Sequence, residues 1–282
     1  MDVAIGLPNA VPKTTGAELT EWARRAEARG LSSLGTIDRI AYGNYEPLTA
    51  LAGAAAVTER IGLATTVLLG PLRSNATELA KRALSLHALS DGRFTLGIGI
   101  GGREDDYSES GIEMSDRGET LDRMLERIAE VWADDSGIGP SISGRPGLLV
   151  GGGVGASFAR AAKYADGWIA GGSGPEAFAE AAEKVRSEWS KAGREGEPRL
   201  AGLAYFSLGD DGEQHARDYL LDYYAWLGDE TAGMIAGSAA NDAEAVQRYM
   251  AAYDGAGCDE LFFFPSSGDA AQVDLLADAA GL

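Results

Sequence analysis

The stretch from Ile61 to Gly102, IGLATTVLLGPLRSNATELAKRALSLHALSDGRFTLGIGIGG, decides how the chain folds. It opens on one apolar run, Ile61–Leu69, and closes on another, Phe94–Ile100. Between them Asn75 and Glu78 stand at capping-pair spacing, and Leu79, Ala83 and Leu86 follow on one helical face. Both runs are continuously apolar rather than alternating, as in parallel strands covered on both sides. The unit reads strand, helix, strand.

The same alternation runs outward in both directions. Val3–Leu7 and Leu31–Ile37 precede the unit, and Leu148–Gly151, Gly167–Ala170, Leu200–Leu208 and Glu260–Phe264 follow it, making eight strands. Thr15 and Glu18 form a capping box ahead of Leu19, Trp22, Ala23 and Ala26, with Gly30 as the stop. Arg117–Trp132 carries the stripe Leu121, Met124, Leu125, Ile128, Val131 and Trp132. Pro175 opens a helix running to about Lys191, and Asn241 with Glu244 caps one carrying Val246, Tyr249, Met250 and Tyr253. Glu46–Thr58, Ala156–Tyr164, Glu213–Leu227 and Asp269–Ala279 complete the helices. Eight strand-then-helix repeats predict an α/β fold, a (β/α)8 TIM barrel as one domain over 1–282 with one extra helix before the last strand. Pattern alone does not separate closure from an open doubly wound sheet.

Composition narrows the function classes. The 282 residues suit one barrel of about 250 residues. A net charge of −19 argues against nucleic acid or an anionic membrane as partner. Apolar residues at 45% and charged ones at 24% are globular values, and no apolar run approaches the roughly 20 residues of a membrane span. MDVAIGLPNA lacks a basic start and a long apolar run, so no secretory leader is expected and the compartment is read as the cytoplasm. One cysteine, Cys258, rules out an intrachain disulfide and a cysteine-cluster metal site.

In such a barrel the site lies in the loops after the strands' C-terminal ends. Two glycine clusters there, Gly97–Gly102 and Gly151–Ala156, imitate a dinucleotide fingerprint. The first runs into the polar Arg103-Glu104-Asp105-Asp106, and after the second the nearest strand-end acid, Asp166, comes too early. Gly171-Gly172-Ser173-Gly174-Pro175 reads better as an anion site, with Ser173 or Gly174 as helix cap and free N–H groups toward the strand ends. A tight turn with no ligand fits that spacing equally. His87 and His215 fall within helices, which leaves no His-based metal site or Ser-His-Asp triad. Asp38-Arg39 and Arg103–Asp106 are the charged groups at strand ends; their bland readings are a rim salt bridge and a solvated loop. So few acid–base groups suggest that a bound cofactor does the chemistry.

These residues together resemble the luciferase-like flavin oxidoreductases, which include bacterial luciferase, FMN-dependent monooxygenases and enzymes using the deazaflavin F420. Glu59–Val67 and Ser90–Gly101 are similar to the family's third and fourth strands, and Arg117–Asp122 to the helix start that follows. Val150–Gly153, Ala161–Trp168 and Gly257–Leu261 resemble its fifth, sixth and last units. The resemblance implies a flavin at the C-terminal mouth, pressed by a non-proline cis peptide around Thr65-Thr66-Val67. It implies cofactor contacts at Asp38, Gly99 and Gly101, with the phosphate tail near Gly152, Gly153, Gly171, Gly172 and Ser173. The cofactor is expected to be FMN or F420, and the activity a monooxygenase or hydride-transfer reductase acting on a small organic molecule. Arg39 and Arg103 are the expected polar catalytic groups, Asp229–Ala240 the expected lid, and a separate reductase and a homo-oligomer the expected partners.

Two departures bear on chemistry. F420 enzymes of the family often carry Asp-His after strand two where this chain has Asp38-Arg39, and some carry glutamate where Gly102 stands. The segment Ala133–Arg145 is also short, as in a flavin-binding relative without evident catalysis, so a non-catalytic flavin-binding protein is the alternative. A flavin-free hydrolase or isomerase is disfavoured, because no paired acids or bases stand at the strand ends.

Overall fold

A computed structural model describes residues 1–133 and 136–282. Its strands are β1 (Asp2–Gly6), β2 (Ser33–Thr36), β3 (Gly62–Thr65), β4 (Leu68–Leu69), β5 (Phe94–Gly99), β6 (Gly147–Gly151), β7 (Gly167–Ile169), β8 (Arg199–Phe206) and β9 (Glu260–Pro265). All pair in parallel in the order β3-β2-β1-β9-β8-β7-β6-β5-β4. A further β3–β5 pairing, Leu63 opposite Phe94, closes the ring. β3 and β4 are two pieces of one stave, separated by a cis peptide at Thr66–Val67. The barrel therefore has the eight staves that the pattern implied, and the open sheet is excluded.

Each stave alternates its side chains between two apolar environments. Val3 and Ile5 of β1, Leu261 and Phe263 of β9, and Leu148 and Val150 of β6 pack outward under the helices. Ala4, Phe262, Phe264 and Leu149 pack within the barrel. The interior pairs large with small residues. A methyl group on Gly6 would lie 2.3 Å from the Phe264 ring, and one on Gly35 would lie 2.8 Å from Phe262. These rings fill the β1–β2–β9 sector of the barrel, which leaves the opposite sector for a cavity.

The outer layer comprises α1 (Gly16–Ala28), α2 (Pro47–Ala55), α3 (Ala76–Leu89), α4 (Glu104–Glu109), α5 (Arg117–Val131), α6 (Gly155–Tyr164), α7 (Pro175–Lys191), α8 (Gly212–Tyr223), α9 (Asp229–Gly237), α10 (Ala243–Gly255) and α11 (Ala271–Ala280). The Thr15–Glu18 capping box is present on α1, and Asn75 accepts from the Glu78 N–H on α3. The α5 stripe is buried as its spacing requires.

Three details differ from the sequence reading. The cap of α10 is Asp242, which accepts from the Ala245 N–H at 2.6 Å, and not Asn241. The run Glu104–Asp106 forms the short helix α4, with Asp106 only 1% exposed, because Arg39 offers it a buried partner. Between β8 and β9 lie three helices rather than two; the added one, α9, falls in the glycine-rich stretch expected to be a lid. Two residues of the short segment 133–145 lie outside the described residues, so its character as a whole is left there.

Candidate active site

A cavity of about 640 Å³ opens at the C-terminal ends of β3 to β7. That is within the usual range for a small-molecule site. Its floor comes from the strand pattern. The inward positions at the top of β5 and β6 are Gly99 and Gly151, which alternate with the outward Ile98 and Val150. A methyl group on either would approach Val67 to 2.9 or 2.8 Å, so the two glycines seat the Val67 side chain. Thr65 and Thr66 anchor the turn between β3 and β4. The Thr65 hydroxyl donates to the Gly97 carbonyl at 2.7 Å, and the Thr66 hydroxyl to the Thr36 carbonyl at 3.2 Å.

One end of the cavity is lined by glycine loops, two helix N-termini and a guanidinium. Gly152 adopts φ +133, a conformation that disfavours any side chain, and the Trp168 indole N–H donates to its carbonyl at 2.7 Å. The N-caps of α6 and α7, Val154 and Gly174, have no side chain that can accept, although Ser157 Oγ accepts from the Val154 N–H at 3.2 Å; of the two alternatives Ser173 and Gly174, the glycine takes the position. Two helix N-termini thus present uncapped amides near the glycine loops. Arg160 of α6 lines the same cavity and is the one charged side chain among its described lining residues. Asp122 holds its guanidinium in a fork, at 2.7 Å to Nε and 3.1 Å to Nη2. The remaining walls are Ile100, Leu121, Val154, Ile169, Tyr224 and Ile235.

Of the residues expected from sequence, Thr66, Val67, Gly99, Gly101, Gly152, Gly153, Gly171, Gly172 and Ser173 line this one cavity. Asp38, Arg39, Thr65 and Arg103 do not. Asp38 pairs with Arg73 rather than with Arg39, at 2.7 Å, and accepts from the Leu69 N–H at 2.8 Å. Burial pushes its carboxyl above the usual carboxylate range, against the pull of Arg73. Arg39 turns into a clasp with α4: Nε to Asp106 at 2.7 Å and Nη2 to Asp105 at 3.0 Å. Asp106 also accepts from the Ile40 and Ala41 amides. Arg103 joins the clasp through Asp105 at 3.0 Å and donates to the Tyr223 carbonyl at 2.7 Å. The hydrogen bond from Arg103 is the main cause holding the Asp105 carboxyl below its ordinary range. Both guanidiniums lie over aromatic rings, Arg39 on Tyr42 and Tyr223, Arg103 on Tyr223 and Trp226. Their charge is spent on joining the β2 loop, α4 and the end of α8, because each is held by a carboxylate.

Sequence reading missed Arg160, Ser157 and Tyr224, while Ile235 falls in the stretch 229–240 expected as a lid. Ser157 and Arg160 stand three apart on α6 and so share a face, a signal that was present once the helix was drawn. Tyr224 and Ile235 come from the insertion between β8 and β9, whose path over the mouth no local pattern encodes.

The chain belongs to the luciferase-like monooxygenase family, whose model matches residues 1–261. It is 31% identical over 173 residues to an uncharacterized protein of Mycobacterium tuberculosis, a match taking in 56% of this chain and 61% of that one. It is 27% identical over 218 residues to the pyrimidine monooxygenase RutA of Stutzerimonas stutzeri, covering 67% of this chain and 59% of the other. The chain thus spans about six tenths of the length of these relatives. Among solved structures, an F420-dependent secondary alcohol dehydrogenase in complex with an F420-acetone adduct superposes with a TM-score of 0.80 at 16% identity, covering 99% of this chain and 97% of that one. The oxygenating constituent of a Pseudomonas putida diketocamphane monooxygenase in complex with FMN superposes at 0.71 with 16% identity, covering 98% and 96%. At such identities these structures establish the shared barrel.

Proposed function

We propose that the chain is a flavin-type oxidoreductase that holds FMN or F420 in the β3–β7 cavity and acts on a small organic molecule. The observation that carries this is the cavity itself: a glycine-cleared floor around Val67, apolar walls, and one end where glycine-loop amides meet Arg160, itself paired with Asp122. A flat tricyclic ring needs the first two features, and an anionic tail needs the third. In this reading Thr66, Val67, Gly99 and Gly151 support the ring. Gly152, Gly153, Gly171, Gly172, Ser173 and Arg160 hold the phosphate, through backbone amides and one forked cation.

When bound, such a cofactor supplies hydride transfer or oxygen activation. The chain's own part is to orient it and keep water away. Ile100, Leu121 and Ile169 make the wall apolar, and Ile235 of α9 brings the expected lid segment against the cavity. Arg39 and Arg103 act here as positioning residues, since the clasp fixes the loops that bound the mouth. Relatives described as monooxygenases favour an enzyme over a storage protein. A reductase that regenerates the cofactor and a homo-oligomeric assembly complete the reading. Titrating the purified protein separately with FMN and with F420, followed by fluorescence, tests it. Micromolar binding of one is expected; binding of neither below about millimolar, some 4 kcal/mol of affinity, ends it.

A further inference from the structure

Tyr205 and Tyr224 share one hydrogen bond, hydroxyl to hydroxyl, at 2.7 Å. Among the described residues neither hydroxyl has another partner, so two O–H groups are served by a single bond and one proton has no acceptor. The two tyrosines are not equivalent. Tyr205, on β8, is 4% exposed, and its ring is packed beside Gly172. Tyr224 lines the cavity. A donor left unpaired in the interior is costly, whereas one at a cavity wall can meet a guest. The favourable arrangement therefore has Tyr205 donating and Tyr224 accepting, with the Tyr224 proton turned to the cavity.

The geometry points to Tyr224 as a fixed hydrogen-bond donor to a carbonyl oxygen of the bound ring, with Tyr205 as the residue that positions it. This rests on the flavin-type reading above. A carbonyl accepts and cannot donate, so it complements a site that offers a proton. The Tyr224 ring is held edge-on by Tyr223 at 5.0 Å and Tyr205 at 5.9 Å between centroids, so the hydroxyl is placed before any guest arrives. Burial raises the Tyr224 phenol above its ordinary range, which keeps it protonated at neutral pH although Arg103 and Arg39 pull the other way.

The test uses whichever of FMN and F420 binds the full chain, with Y224F and Y205F compared by affinity and by the carbonyl stretching bands in difference infrared spectra. Thermal melts of both variants confirm folding. Y224F is expected to bind about 3- to 10-fold more weakly, the worth of one neutral hydrogen bond, and to move a ring carbonyl band to higher frequency. Y205F is expected to move that band part of the way and to weaken binding less than Y224F, since Tyr224 retains its proton but loses the hydroxyl that orients it; a folded Y205F with the wild-type band and affinity removes the positioning role of Tyr205. A folded Y224F that binds within twofold of wild type with its carbonyl bands unmoved overturns the donor and leaves the flavin reading standing. A wild-type chain that binds neither compound fails that reading and takes the donor with it.

Discussion

At the scale of single residues, glycines do at this mouth what catalytic side chains do elsewhere: they determine where a guest fits. Gly97 shows how little room is spare. A methyl group there would lie 2.0 Å from the Thr65 carbonyl oxygen, a backbone atom that cannot swing aside. Gly97→Ala is therefore expected to destabilise the fold by about 1–3 kcal/mol or more, the range for overpacking, read from the urea midpoint. Arg160 supports a sharper comparison. Losing a hydrogen bond to a charged group costs about 1.5–3 kcal/mol, so Arg160→Gln should weaken FMN about 10- to 100-fold. Riboflavin, which lacks the phosphate, should be nearly unaffected. An equal loss for both compounds would show that Arg160 senses the ring or the fold and not the anion.

At the scale of elements, helix ends and the clasp divide the work. α6 and α7 have no accepting N-cap side chain, as α5, α8 and α9 have none, while α1, α3 and α10 are capped by Thr15, Asn75 and Asp242. The α10 cap separates two neighbouring acceptors. Asp242→Ala is expected to cost about 1 kcal/mol in thermal or urea unfolding, while Asn241→Ala should stay within about 0.5 kcal/mol. The reverse order would restore Asn241 as the cap. α4 exists because of a tertiary partner: with three acidic residues in its first turn it reads as solvated surface, yet Arg39, from the β2 loop, buries Asp106.

At the scale of the whole molecule, pH exposes how the core treats its histidine. His87, 5% exposed on α3, has its pKa lowered from 6.5, mainly by burial, so the folded state resists a proton that the unfolded chain accepts. The unfolded state binds more protons once pH drops below 6.5, so stability falls with falling pH until the folded pKa is passed. The slope from this one group is at most about 1.4 kcal/mol per pH unit. His87→Gln should remove that part of the acid sensitivity as pH falls below 6.5, measured as the difference from wild type in urea titrations. Parallel curves for the two proteins would mean that His87 is not the group refusing the proton.

Repeating apolar runs, the Thr15 and Asn75 caps and the α5 stripe determined eight strand-and-helix units from the chain alone, because period and capping act over a few residues; their closure into a barrel was decided by the long-range β3–β5 pairing. The glycine loops that line the cavity were legible for the same reason: a loop after a strand can lie only at the barrel mouth. Which charges face that cavity was decided by tertiary structure. Arg39 and Arg103 stand at strand ends, as a site residue would, but Asp105 and Asp106 arrive from another loop and claim them. Arg160 and Tyr224 reach the cavity through helix orientation and through an insertion folded over the mouth. Coulombic and hydrogen-bond partners are chosen by distance in space, and spacing along the chain carries no record of it.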